Sequence, residues 1–184
     1  MSTVLATQHR TKTGETIVIR SAEGRDAAQI LALGKSVMDE GIYTLTESDE
    51  LDFTVEQEAE WIRSHQDHPA KLILVAEFEE RVVGILDFSN GHRRRIAHHG
   101  EFGMSVMKPW RDKGVGKALL GSLLAWAERN LTIEKINLKV HATNSRAIGL
   151  YEKFGFVEEG RQKRDLRLAR DQYVDSILMG RFVK

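Results

Sequence analysis

The chain has 184 residues, enough for one domain with a sizeable core, and it is 41% apolar against 29% charged, the balance of a folded globular protein. Lys+Arg and Asp+Glu both number 27, so the formal net charge is zero and gives no general case for nucleic acid or an anionic membrane as partner. Cysteine is absent, which excludes disulfides, cysteine zinc ligands and a cysteine nucleophile.

Residues 1–15 are polar and hold no apolar run long enough for a signal peptide, and no segment approaches a transmembrane helix. The expectation is a short tail, one domain over 16–184 and a cytoplasmic protein. Residues 16–20 are β-branched and predict the first strand. Residues 25–38 place Ala27, Ile30, Leu31, Leu33 and Val37 near helical spacing. Thr54 with Gln57 three residues on forms a capping box for a helix over 55–65, and Pro69 closes that unit. Residues 72–76 and 81–88 read as a hairpin, with a further turn at Asn90-Gly91. Residues 96–107 read as a strand whose glycines at 100 and 103 predict a bulge or a close backbone approach. Residues 114–130 form an amphipathic helix, with Val115, Ala118, Leu119, Ser122, Leu123, Trp126 and Ala127 on one face. A strand over 135–141 and a helix over 145–154 follow, the latter ended by Gly155 as its C′ residue. Residues 156–158, 163–168 and 172–179 read as closing strands. Consecutive strands dominate the middle, which argues for an α+β fold with a mixed sheet rather than a doubly wound parallel one.

The stretch Val106-Met-Lys-Pro-Trp-Arg111-Asp112-Lys113-Gly114-Val115-Gly116-Lys117 carries the chemistry. A strand runs into a two-glycine turn and then a helix start, where unpaired N–H groups and the helix dipole favour a bound anion. A P-loop would need glycine where Arg111 stands and a hydroxyl where Ala118 stands. A dinucleotide fingerprint would need its third glycine at Leu119, and the preceding chain is antiparallel in character.

Arg111-x-x-Gly114-x-Gly116 instead resembles the Q/R-x-x-G-x-G/A motif of the GCN5-related N-acetyltransferases, the GNAT superfamily. A second block, Asn144-Ser-Arg-Ala147-Ile-Gly-Leu150-Tyr151-Glu-Lys-Phe154-Gly155-Phe156, resembles that family's N-x-x-A-x-x-L-Y-x-x-x-G-F, and the two occur in the family's order. The resemblance spans nearly the whole chain. It implies a central mixed, mostly antiparallel twisted sheet flanked by helices, and acetyl transfer from acetyl-CoA to an amine by direct attack in a ternary complex, with no metal. It further implies that the strand with Met104, Ser105 and Val106 splays from the next near His141. Free backbone groups there would bind pantetheine, and one N–H would polarise the thioester carbonyl.

By the same resemblance, N–H groups of residues 112–117 would hold the pyrophosphate. Lys113 and Lys117 would add charge or stand as solvated helix-start lysines. Asp112 occupies a position where many members have glycine, so its carboxylate needs to point outward. Asn144 would contact pantetheine or cap its helix, and Ala147 lies in the same block. Tyr151 matches the family tyrosine that protonates the departing CoA thiolate; without that match it reads as a core tyrosine. Glu101 is the candidate base, on the strand leading to Val106, or else an outward strand glutamate. His98, His99 and His141 are alternatives. Direct transfer accords with the lack of a cysteine to carry an acyl group.

The acceptor is open. Asp39, Glu40, Glu47, Asp49, Glu50 and Asp52 fall in fourteen residues without Lys or Arg. They form either a rim attracting a cationic amine (a polyamine, an aminoglycoside, a peptide N-terminus) or a solvated acidic loop. Residues 41–43 would alternatively wall a small amino acid. His92-Arg93-Arg94-Arg95 reads as a basic hairpin tip, too narrow for a nucleic-acid surface. Two rivals to an enzyme are a silent CoA-binding sensor or scaffold, which would not require the tyrosine, and a nucleic-acid module. A homodimer through the C-terminal strands is common in the family.

Overall fold

The computed structural model describes residues 3–184. Its elements are β1 (Thr7–Arg10), β2 (Thr16–Ser21), α1 (Ala27–Met38), α2 (Val55–Gln66), β3 (Leu72–Phe78), β4 (Arg81–Asn90), β5 (His99–Val106), α3 (Val115–Arg129), β6 (Lys135–His141), α4 (Ser145–Lys153), β7 (Val157–Ala169) and β8 (Gln172–Phe182). They build one eight-stranded sheet in the order β1-β2-β3-β4-β5-β6-β8-β7. Every neighbouring pair is antiparallel except β5 and β6. The α+β class with a mixed, mostly antiparallel sheet is therefore as expected.

Helices cover both faces. Leu72, Leu74, Leu86 and Phe88 pack with α3 residues such as Leu119 and Leu123, while Ile73, Val75 and Val82 pack with Ile30, Leu33 and Ile62 of α1 and α2. That two-sided burial is why β3 is apolar at every position from Leu72 to Ala76. The β3–β4 hairpin closes through Glu79 and Glu80, both with positive φ, the two-residue turn whose twist matches the strands. Helix α3 buries Leu120 and Leu124 as well as its anticipated apolar residues, while Ser122 is only partly buried. At the start of α1, Arg20 of β2 pairs with Asp26 and with Glu77 of β3. Burial pushes the Asp26 carboxyl up, but the Arg20 guanidinium and the Glu23 backbone N–H together outweigh this and hold it below its ordinary value.

The capping box of α2 forms as written in the sequence. Thr54 Oγ1 accepts from the Gln57 N–H at 3.2 Å, and Gln57 Oε1 accepts from the Thr54 N–H at 2.8 Å. Thr54→Ala is expected to cost about 1 kcal/mol, measured as a lower urea midpoint with an unchanged slope.

Three expectations need correction. Residues 7–10, anticipated as tail, form β1 along β2. Thr-Gln-His-Arg offers no apolar alternation, so this edge strand rests on backbone hydrogen bonds that periodicity cannot reveal. The closing segments are two strands, not three: β7 runs through 157–169 with register shifts near Gly160 and between Gln162 and Leu166, which break its period of two. Ile96 belongs to a single 3-10 turn over Arg94–Ile96, and the strand begins at His99.

Gly100 and Gly103 mark close approach rather than a bulge, since the β4–β5 register is unbroken. A Cβ at Gly100 would lie 2.3 Å from the Ser89 carbonyl oxygen, and one at Gly103 would lie 2.9 Å from Asp87 Oδ1.

Candidate active site

Strands β5 and β6 pair at three positions only: His99 with Lys135, Gly100 with Ile136, and Glu101 with Asn137. Beyond Glu101 they part. Residues 102–106 stay bonded to β4 on one side and present a free edge on the other. A free edge beside a parted strand is a template for an extended, amide-bearing ligand. The divergence anticipated at Met104–Val106 is thus present.

At the far end of that edge the chain turns into α3. Gly114 has φ 99°, a left-handed value that glycine adopts without strain, and it serves as the N-cap. The Ala118 N–H is the first to reach a helical carbonyl, that of Gly114 at 3.0 Å. The N–H groups of Val115, Gly116 and Lys117 precede it and have no carbonyl one turn back. Gly116 meets the two other blocks: a Cβ there would lie 3.3 Å from Met104 Cε and 3.5 Å from Leu150 Cδ2. Strand β5, the glycine turn and α4 therefore converge at one place, as the two sequence motifs required.

The charged residues of the turn are engaged in structure. Arg111 forks onto Glu40 with both nitrogens at 2.6 Å, and its Nε donates to the Val106 carbonyl at 2.9 Å. Its side chain thus ties the end of α1 to the end of β5, and Glu40 is withdrawn from any acidic rim. Lys113 Nζ sits 3.0 Å from Glu15 and 4.9 Å above the Trp110 ring, while its carbonyl accepts from the Lys12 N–H. The Thr11 hydroxyl above all, then that of Thr13 and the Lys113 ammonium, pull the Glu15 carboxyl down to about 2. The β1–β2 turn thus buttresses the glycine turn, a role not visible in residues 1–15. Asp112 is exposed and turns outward toward Arg146, at 3.4 Å, as its position demands. Lys117 is exposed.

Asn144 caps α4, its Oδ1 accepting from the Ala147 N–H at 3.2 Å. One turn further, Tyr151 is buried, its ring set edge-on to Phe102 at 5.7 Å and beside Phe156 at 6.0 Å. Burial pushes its hydroxyl up to about 12. That hydroxyl has no hydrogen-bond partner among the described residues, and it is not one of the enclosed orphan atoms, so its tip reaches solvent.

Glu101 lies on the opposite face. Phe102 points into the α3–α4 core with Tyr151, so its neighbour Glu101 points the other way. There it borders a cleft of about 540 Å³ with Asp87, Ser89, Ile96, His99 and Gly103. His98 and His99 set their rings edge to face at 4.9 Å, and His99 Nδ1 lies 3.2 Å from Asn137 Nδ2. His141 is buried with Nδ1 unpartnered; burial lowers its pKa, and Tyr43 from the acidic segment stands edge-on at 5.8 Å.

Asp87 is the residue that sequence reading passed over. Burial pushes its carboxyl up to about 6. The signal was present: a lone carboxylate inside the apolar strand 81–88 is out of place unless it serves something.

Residues 42–156 match the family model described as the acetyltransferase (GNAT) family. The chain is 34% identical over 121 residues to the L-amino acid N-acetyltransferase AaaT of Escherichia coli, covering 66% of this chain and 74% of that protein. Among solved structures, an acetyltransferase of the GNAT family from Streptococcus pneumoniae superposes with a TM-score of 0.87 at 28% identity, covering 91% of this chain and 99% of the other. The yncA protein of Salmonella typhimurium, solved with its cofactor acetyl-CoA, superposes with a TM-score of 0.80 at 19% identity over 91% of this chain and 94% of that one, a likeness of fold.

Proposed function

The chain belongs to the acetyltransferase (GNAT) family, and from that premise we propose how it carries out the family's acetyl-CoA-dependent N-acetylation with its own residues. The observation that carries the reading is the free edge of β5 beyond Glu101, ending at the N-terminus of α3. An extended pantetheine chain fits such an edge. A pyrophosphate fits the unpaired N–H groups of residues 112–117, which act through the backbone and the helix dipole. Arg111 and Lys113 contribute by holding the turn, through Glu40 and Glu15. Asn144 and Ala147 set the start of α4 and thereby the placing of Tyr151.

In this assignment the amine attacks the thioester carbon, an N–H of the Met104–Val106 edge stabilises the oxyanion, and Tyr151 protonates the leaving sulfur. A phenol kept neutral by burial is suited to donating rather than accepting a proton. Glu101, at the mouth of the cleft on the other face, lies where a proton released from the amine passes to solvent.

The acceptor is a primary amine. The AaaT likeness favours the α-amine of an L-amino acid, and pairing of Glu40 with Arg111 weakens the case for an acidic rim drawing in a polycation. Isothermal titration with acetyl-CoA is expected to show binding, and no binding at millimolar ligand would overturn the assignment. A panel of L-amino acids, spermidine, an aminoglycoside and an alanyl peptide, scored by CoA release, is expected to rank the L-amino acids first.

A further inference from the structure

Asp87 lies on β4 directly opposite Gly103 of β5. Because Gly103 has no side chain, the Asp87 carboxylate lies directly over it; an added Cβ would come within 2.9 Å of Asp87 Oδ1. Asp87 forms no salt bridge among the described residues, although it borders the cleft.

Its neighbour on the same face, Ser89, is held in one orientation. His65 Nδ1 lies 2.9 Å from the Trp61 carbonyl, a contact that an N–H alone can make. With Nδ1 protonated and the buried imidazole neutral, Nε2 accepts the Ser89 proton at 3.0 Å. The Ser89 oxygen then offers lone pairs to the cleft. Asp87, Ser89 and, at the mouth, Glu101 make a set of acceptors matched to the three N–H groups of an ammonium.

We propose that Asp87 takes the proton from the attacking amine, and that the acceptor enters this cleft as a compact primary ammonium. This rests on the acetyl-transfer reading above. The ammonium gives one N–H proton to Asp87, and the freed electron pair forms the C–N bond at the thioester carbon. Collapse of the adduct breaks the C–S bond as a second proton leaves nitrogen. One proton ends on the CoA sulfur by way of Tyr151, and the other passes from Asp87 to solvent past Glu101.

The titratable groups facing Asp87 are Glu58 and His65 from α2 and Glu101 and His99 from β5; on β3 its partner is Ile73. Burial above all, and then the charge of Asp87, raise the Glu58 carboxyl. A carboxyl held at about 6 is ionised and active above that pH.

The test is kcat/KM against pH for the wild type with two amines of different basicity, an L-amino acid and an alanyl peptide. One acidic limb near pH 6 is expected for both; a limb that follows each amine's own pKa overturns the proposal. Asp87→Asn is expected to lose that limb and about 10²-fold in kcat with acetyl-CoA affinity unchanged. Glu101→Gln should keep the limb. Asp87→Asn will fold: a carboxyl raised from 3.8 in the unfolded chain loses stability as pH rises through that window, so the neutral amide is at least as stable at pH 7. Retention of the limb and of turnover in Asp87→Asn, or loss of the limb in Glu101→Gln, overturns the proposal alone. Acetyl-CoA binding with no turnover of either amine by the wild type overturns the acetyl-transfer assignment and this inference with it.

Discussion

Tyr151→Phe is expected to lower kcat by about 10²-fold or more while acetyl-CoA affinity and thermal stability stay close to wild type. The phenol ring is packed between Phe102 and Phe156, and phenylalanine keeps those contacts. The hydroxyl makes no hydrogen bond among the described residues, so its removal leaves no partner unsatisfied. What disappears is the proposed proton donor for a leaving thiolate. Because burial holds the hydroxyl at about 12, the wild-type rate should show no loss of this donor below that pH. Single-turnover kinetics with saturating acetyl-CoA measure the effect on the chemical step. Unchanged turnover would return Tyr151 to the role of a core aromatic.

Gly100→Ala is expected to be the most damaging small substitution in the fold, costing about 3 kcal/mol. The added carbon would lie 2.3 Å from the Ser89 carbonyl oxygen, 2.7 Å from the Asn90 Cα and 2.7 Å from Phe88 Cζ. Two of these are backbone atoms of β4, so no side-chain rotation can relieve the overlap, and the strands themselves must separate. Gly100 also pairs with Ile136 just before β5 and β6 part, so displacement there moves the origin of the free edge. Urea unfolding should give a lower midpoint, and acetyl-CoA affinity should fall together with it. A variant as stable as wild type would show that the β4–β5 approach is looser than these distances.

The donor half of the site was legible because it depends on local rules. A glycine that must take a positive φ, an arginine three residues before it and an asparagine at a helix start are constraints within one turn of chain, and each sits where its spacing implies. Arg111 is instructive in a different way. Its position was readable, but its engagement with Glu40, 71 residues away, was not. The same holds for Lys113 and Glu15, 98 residues apart. Such pairs follow from how strands are ordered in the sheet, and one sequence carries no direct record of that order.

The acceptor side was less legible for the same reason. Glu101 was a candidate from its place before the motif, whereas Asp87 gains its meaning from Gly103 across the strand. In the chain it is one carboxylate in an apolar run. In the fold it is poorly hydrated and borders a cleft.

By itself the sequence determined the elements whose signals are periodic or capped, the α+β class and the glycine turn that starts α3, since these arise from backbone conformational preference and the spacing of apolar residues. The tertiary structure decided that β5 and β6 part after Glu101, that Tyr151 and Glu101 stand on opposite faces, and that Asp87 borders the cleft. Those facts depend on register and strand order, which are set by contacts between residues far apart in the chain.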